Sequence, residues 1–543
     1  MKNIKKYFGE KIAIEYASNW GFGPLAYIAK SYFEELGFNV VNFHLNVSKI
    51  LDSRILFLIK RPLKKIINFF YPNYKIIEPF AQIENSELPS ISEYILWRIQ
   101  ALLWSFKYYF LTVLRIKSIF EAKIDNILVG DAVVATSVRI SSKYPSKLRF
   151  ENDLFNSLIK SYLNYKYGQF LVNKKKINTL IPSHNVYDHN IRHRAILKNG
   201  GKYLYLGKFP FSVLVDSKTF SAYHPSILPI DQFDDISPEE QKLTKEYLDQ
   251  RISPKNPNVL SYMQVNPYSM EGFTNLSNDL NYNQKEEQVN IINVCIFLHS
   301  FADALFVFGH DSFNDIWEWI NFTIDELLDL NKVQPLNILI KPHPNIFNYK
   351  NFKSNVVKKD YFTYQKLEDK YKYISNINFI DSSTSNLNLI KLNNFIGITH
   401  HGNIAPELAY LNKPVIASLH GPWKNCNDFL ITWKNKKEYS KIIKALESYV
   451  SFQPCISSLL KFTSYYYRQS FSIKPTTHYE YNKELFYIAF EKYPSSDSEI
   501  HENSSKVLEI LKNDEIKYEQ AKNYLEELIT VSLDYYKETR VNK

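Results

Sequence analysis

From residue 289 onward the chain settles into a regular alternation of short apolar runs and mixed segments. VNIINVCIFLH (289–299), LNILIKPHP (336–344), NINFID (376–381), NFIGIT (394–399) and KPVIAS (413–418) read as strands. Each carries a nearly unbroken apolar stretch with Ile prominent, the pattern of strands covered on both faces. Between them, 311–330, 361–373, 385–392, 405–411 and 436–449 read as helices. Strand and helix alternating at this spacing predict an open, doubly wound parallel sheet. Right-handed crossovers then bring every strand's C-terminal loop to one edge.

The first half repeats the theme less regularly. KIAIEYA (11–17) reads as a strand and NWGFGP (19–24) as a loop holding Gly21 and Gly23. LAYIAKSYFEELG (25–37) reads as a helix with Pro24 at its first turn and Gly37 at its end, and FNVVNF (38–43) as the next strand. This is a βαβ opening with glycines where a backbone can approach a ligand. Further strands are expected over 125–129, ending at Gly130-Asp131, and over 177–183 and 202–206, with helices over 150–166 and 186–198. Residues 208–285, rich in Pro, Ser, Asn and Asp, read as loop running into linker.

The expected organisation is α/β: a Rossmann-like domain over 1–285, a second over 286–450, and a helical tail over 451–543 that packs back on both. The two domains are expected to face each other across a cleft. A length of 543 residues suits two large domains or three modest ones.

Composition adds detail. The chain is 45% apolar and 22% charged, which excludes wholesale disorder. Lys+Arg 66 against Asp+Glu 56 leaves +10, a surplus that suits anionic ligands or a phospholipid surface. Only 14 residues are glycine, so each is expected where a side chain does not fit. Three dispersed cysteines argue against a disulfide framework or a Cys-based zinc site and fit a reducing cytoplasm. The opening residues lack an apolar core, so no secretion signal is expected.

The longest apolar run, ALLWSFKYYFLTVL (101–114), is interrupted by Lys107. Residues 54–70 and 94–120 mix Arg and Lys with Trp, Phe and Leu, the composition of a helix lying in a membrane interface. A basic, aromatic helical insertion over about 50–120 is therefore expected. It lies either on the inner face of the cytoplasmic membrane or against its own domain. No nucleic-acid partner is expected.

Chemistry concentrates in the loops after the strands of the second half. These hold His299-Ser300-Phe301-Ala302-Asp303, Lys341-Pro342-His343-Pro344, Thr399-His400-His401-Gly402-Asn403-Ile404-Ala405-Pro406-Glu407, and His420-Gly421-Pro422. In open α/β sheets ligands bind outside the carboxyl ends of the strands. Gly402 at a helix start leaves N–H groups for an anion, and Glu407, in the opening turns, can accept from a ribose diol. Lys341 offers a point charge, and His343, between prolines, can donate to a phosphoryl oxygen or a leaving group. The set describes a site for a nucleotide carrying a sugar. Walker-A spacing is absent, as are His-Glu-x-x-His and Asp-x-Asp. His400 and His401, adjacent at a strand end, point opposite ways and make a poor pair for one ion. No metal and no cofactor is expected, the nucleotide sugar being a substrate.

Lys341-Pro342-His343-Pro344, followed by NNFIGITHHGNIAPELAYLNKPVIAS, resembles the second domain of bacterial capsule polysaccharide biosynthesis proteins. These are GT-B glycosyltransferases with a His-Pro motif, related to Kdo transferases. His299 to Asp303 with Phe313, Trp317, Glu318 and Trp319 is similar to the segment preceding that loop. Gly130-Asp131 with Arg139, and Ser183-His184 with Tyr187, Arg194 and Ala195, resemble first-domain stretches. The resemblance implies that His343 and Pro344 contact the nucleotide phosphate, Gly402 and Asn403 cradle it, and Glu407 holds the ribose. His401 and Lys341 complete the nucleotide set.

For catalysis it points to His343 together with Asp131, a strand-end carboxylate that could take the acceptor's proton. Gly21, Gly23, Arg139, His184, Arg194 and Asp303 are accessory or acceptor-side candidates. Where the family pattern has Tyr-Asp, this chain has Val134-Ala135, which leaves the acid/base role to Asp131 or removes it. The implied activity is transfer from a CMP- or UDP-linked sugar to a growing polysaccharide or lipid-linked glycan. A glycerophosphotransferase or UDP-sugar epimerase of the same fold, or a non-catalytic glycan-binding relative, are the rivals.

Overall fold

A computed structural model describes residues 5–16, 22–44, 88–141, 152–182, 186–206, 212–215, 230–232, 234–254, 267–268, 291–303, 305–343, 346, 355–381 and 384–472. It also describes helical positions 513, 518, 519, 522, 523, 525, 526, 529, 530, 533 and 537. The chain divides into two compact units. The first gathers Met1–Ser137, Leu148–Pro225 and Ser472–Lys543; the second gathers Val138–Lys147 and Ser226–Phe471. The chain passes between the units after residues 137, 147, 225 and 471. The tail is shared, with residues 456–471 of a helix in the second unit and the positions from 513 on in the first.

The first unit is built on five strands, β1 (Lys11–Tyr16), β2 (Asn39–His44), β3 (Thr179–Ile181), β4 (Lys202–Leu206) and β5 (Ser212–Val215). Their order across the sheet is β2-β1-β3-β4-β5, parallel except for the antiparallel edge strand β5. Helix α1 (Phe22–Glu35) crosses from β1 to β2. It starts three residues earlier than expected, so Gly23 and Pro24 lie in its first turn, and it is followed by Gly37 with φ +78°. There Phe38 N–H bonds back to Phe33 C=O at 3.0 Å, closing the helix as glycine-capped helices do. The rings of Phe8, Phe33 and Phe38 meet edge to face beneath it, 5.4–6.5 Å apart.

Residues 125–129 do not join the sheet. Asp125 and Asn126, at φ 46° and 67°, turn a small hairpin between Lys123–Ile124 and Ile127–Leu128. Gly130-Asp131 then opens helix α3 (Gly130–Ile140) rather than ending a strand, and helices α4 (Asn152–Asn173) and α5 (Tyr187–Lys198) follow. Val134 and Ala135, which stand in place of the expected Tyr-Asp, are buried core residues of this helix.

Helix α2 (Ile91–Val113) is inverted in its patterning. A capping box starts it: Ser90 Oγ accepts from Glu93 N–H at 3.2 Å, and Glu93 Oε2 accepts from Ser90 N–H at 3.1 Å. The face turned to the protein buries Tyr94, Ala101, Ser105 and Thr112, whereas Ile95, Leu96, Ile99, Leu102, Leu103, Phe106 and Phe110 are exposed, Leu103 to 68%. Lys107, Arg115 and Lys117 are exposed beside or beyond this stripe. The part of the expected insertion over 50–87 lies outside the described residues, and no described helix is long and apolar enough to cross a membrane.

The second unit carries six parallel strands: β6 (Ile292–Phe297), β7 (Leu336–Lys341), β8 (Ile377–Phe379), β9 (Phe395–Thr399), β10 (Val415–Ser418) and β11 (Ile431–Trp433). Their order is β8-β7-β6-β9-β10-β11, a doubly wound arrangement whose direction of winding reverses between β6 and β9. Every residue of β6, β7, β9 and β10 is buried. Register is tied by asparagines in otherwise apolar strands: Asn337 Nδ2 donates to Asn293 Oδ1 at 2.7 Å, and Asn378 Nδ2 to Asn337 Oδ1 at 2.9 Å. A slip of one residue would leave these buried amides unpaired, at roughly 1–3 kcal/mol each.

Helices α7 (Ile316–Asn331), α8 (Asn355–Tyr371), α9 (Ile404–Tyr410), α10 (Lys436–Lys444) and α11 (Ile456–Ser472) complete the unit. The stretch read as linker also holds α6 (Pro238–Arg251), opened by a Ser237/Glu240 capping box. Strand β11 was not anticipated either. The α/β expectation, with a mainly parallel sheet in each half, agrees with the structure.

Candidate functional site

In the second unit Phe297 of β6 pairs with Lys341 of β7 and Thr399 of β9, and Thr399 pairs with Ala417 of β10. The strands therefore end level with one another. Residues one or two positions beyond those ends must meet, and they are His299, His343, His400, His401 and His420. The His299 ring lies 4.0 Å from His401 and 5.9 Å from His343. His299 and His401 flank the point between β6 and β9 where the winding reverses, the place where open α/β sheets hold ligands.

A hydrogen-bonded line runs inward from this cluster. His401 Nδ1 lies 2.7 Å from His400 Nδ1, and His400 Nε2 lies 2.9 Å from Asp311 Oδ2. Asp311 also accepts from Ser418 Oγ at 2.7 Å and Trp433 Nε1 at 3.2 Å. His400 is walled by Trp319 and Trp433, with ring centroids 5.5 and 6.2 Å away. At the outer end His401 Nε2 is buried with no hydrogen-bond partner.

Electrostatics follow from this packing. Burial, then His299, lowers His343 to about 3, so it stands neutral at physiological pH. Burial, then His299 and His400, drives His401 well below its ordinary range. Burial alone would raise the Asp311 carboxyl, but His400 and Ser418 hold it well below the usual carboxylate range. The loop carrying His299 is pinned by Asp360, which accepts from Ser300 Oγ at 2.6 Å and Phe301 N–H at 2.9 Å; burial raises its carboxyl to about 7.

Several expected site residues do other work. Lys341 is 2% exposed and donates to Thr384 C=O at 2.5 Å and to Asn386 Oδ1, so it holds a loop rather than meeting a phosphate. Burial lowers it to about 8. Glu407 is held by Tyr268 Oη at 2.5 Å and by the Arg251 guanidinium, which bonds its other oxygen. It is 5% exposed, so a ribose would have to displace a buried partner. Asn403 Oδ1 accepts from Tyr467 Oη at 3.4 Å. A Cβ at Gly402 would lie 2.9 Å from Thr399 Oγ1, so this turn hugs the strand end, but the helix beyond it has only seven residues.

Asp303 pairs with Arg139 at 2.5 Å, both partly exposed. In the first unit Asp131, 3% exposed, is gripped by Arg194 through bonds of 2.8 and 2.7 Å. Arg194 also donates to Asn190 Oδ1 at 2.5 Å and Leu128 C=O at 2.6 Å. Neither is free to act on an acceptor: a carboxylate locked in a buried ion pair is a poor base, and that arginine is spent. Gly21, His184 and Pro344 lie outside the described residues, as does the side-chain environment of Gly23. Among the described residues no group of three or more His, Cys, Asp or Glu could hold a metal ion.

The sequence pattern does not single out Asp311, which precedes a helix that Asp315 caps, nor Arg251 and Tyr268. Only Asp311 had a signal, being an acid in a loop preceding a helix in the half of the chain rich in strand-end histidines.

No protein-family model and no curated protein matches the chain. Among solved structures it is similar to Methanocaldococcus jannaschii UDP-GlcNAc 2-epimerase in complex with UDP-GlcNAc and UDP, at 12% identity and a TM-score of 0.27, covering 82% of this chain and 93% of that one. It is also similar to a trehalose-6-phosphate synthase studied for glycosyl transfer with retention, at 9% identity and a TM-score of 0.25, covering 70% and 86%. Likeness at this level carries no argument about chemistry, and the capsule-family resemblance stands on its motif residues alone.

Proposed function

We propose that the chain is a GT-B glycosyltransferase that moves a sugar from a CMP- or UDP-linked donor to a growing bacterial surface polysaccharide. The observation that carries this reading is the meeting of His299, His343 and His401 at the reversal point of a β8-β7-β6-β9-β10-β11 sheet. Neutral imidazoles in a buried setting offer one donor and one acceptor each, which suits sugar hydroxyls and phosphoryl oxygens. Titration calorimetry with CMP, UDP and CDP tests it. One of these nucleotides is expected to bind, and His343→Ala to lower turnover more than affinity. Absence of heat with all three would refute the reading.

The engagement of Asp131 by Arg194 removes the carboxylate expected to activate an acceptor, and this favours a second reading in which one sugar nucleotide reacts alone, as in an epimerase. Incubation with donor and no acceptor, followed by product analysis, separates the two.

The acceptor is proposed to be lipid-linked, met at an anionic membrane surface through the exposed stripe of α2. A stripe of Ile, Leu and Phe bordered by Lys107, Arg115 and Lys117 is complementary to acyl chains under acidic headgroups. The protein is expected to co-sediment with phosphatidylglycerol vesicles, and Leu103→Glu with Phe106→Glu to weaken this at least tenfold, since each buried side chain is worth about 1.5–3 kcal/mol. Equal sedimentation of the double variant would show that this stripe is not the contact.

A further inference from the structure

We propose that His401 Nε2 is the proton-accepting end of an Asp311–His400–His401 relay, and that the ligand group seated against it is a hydroxyl. The assignment of that hydroxyl to a sugar or its acceptor rests on the transferase reading; the relay does not. The hydrogen positions follow from the contacts. Asp311 Oδ2, an ionised carboxylate, requires a hydrogen on His400 Nε2. The proposed resting state has His400 neutral, its Nδ1 a lone pair, so that the 2.7 Å contact takes its hydrogen from His401 Nδ1. His401 Nε2 is then bare, more than nine-tenths buried and without a partner. A bare nitrogen repels a phosphoryl oxygen and invites an O–H. This reverses the expectation that His401 faces phosphate.

The same line can carry a proton. The hydroxyl hydrogen passes to His401 Nε2 while the hydrogen on His401 Nδ1 passes to His400 Nδ1. Positive charge settles on His400, directly beside Asp311, and His401 returns to neutral carrying its hydrogen on the other nitrogen. The oxygen's electron pair forms the bond to the anomeric carbon, and the bond from that carbon to the donor phosphate breaks, its pair leaving with the nucleotide. Asp311 and His400 are positioning residues here, and His401 is the catalytic residue. The charged and titratable groups around the line are His299 against His401, with His343 and Asp303 beyond it, and His420 and Tyr439 beside Asp311, with His310 and Lys424 beyond His420. Burial and His299 discourage charge on His401, and the Asp311 carboxylate makes His400 the resting place.

Two measurements decide it. In 15N spectra of histidine-labelled protein, with His401→Gln and His400→Gln used for assignment, neutral His401 is expected to carry its hydrogen on Nδ1 and none on Nε2. This needs no substrate, so it holds or fails independently of the transferase reading; a hydrogen on Nε2 of neutral His401 overturns the relay. In kinetics with the donor that calorimetry selects, His400→Gln keeps an acceptor for Nδ1–H but cannot take the proton onward. It is expected to lower kcat on the order of 100-fold with KM little changed, and to move the acid limb of the pH profile. An unchanged pH profile in that variant overturns the relay.

Discussion

Replacing Arg194 with alanine is expected to destabilise the first unit by about 3–5 kcal/mol, because it takes the guanidinium from the Asp131 carboxylate in a site that is 3% exposed. The arginine also satisfies Asn190 and Leu128 C=O, so three acceptors lose their donor at once. At about 2–4 °C per kcal/mol for a unit of this size, scanning calorimetry should show one transition falling on the order of 10 °C. Asp131→Asn should cost less, since an amide oxygen still accepts one guanidinium bond. If Asp131→Asn abolished turnover while Arg194→Ala left the transition in place, Asp131 would be the acceptor's base after all and the ion pair incidental.

The second large effect is expected at Glu407. Alanine there leaves the Arg251 guanidinium largely buried without its carboxylate and Tyr268 without its acceptor, at about 3–5 kcal/mol in the second unit. Because Glu407 lies on α9, six residues after His401, the loss should also disturb the histidine cluster. The double variant Arg251→Met with Glu407→Leu replaces the pair with apolar atoms and is expected to recover most of the stability. Nucleotide affinity measured on it discriminates: we expect binding to return with stability. Stability restored with binding still lost would give Glu407 back to the ribose.

These two pairs also mark where sequence reasoning stops. The parallel sheet of the second unit was legible because INVCIF, LNILIK, FIGIT and VIAS are buried on both faces and therefore apolar throughout. The histidines at their ends were legible as a group because parallel strands bring such positions to one edge. What each polar group touches was not. Helix α6 is charged along nearly its whole length and buries only Thr244 and Leu248, so no periodicity announces it or the arginine at its end. Asp131 and Arg194 are 63 residues apart and nothing local records their meeting. Strand β11 is three residues long, below what alternation can reveal.

The tail has a consequence for how the molecule is made. Tyr518 reaches Ser31, Lys522 pairs with Glu35 at 2.6 Å, and Leu525, Ile529 and Leu533 are buried, all within the unit that begins at the N-terminus. During synthesis that unit waits, open, for its last segment to leave the ribosome, whereas the later-starting unit has all its strands once residue 471 has emerged. The half begun first is thus finished last.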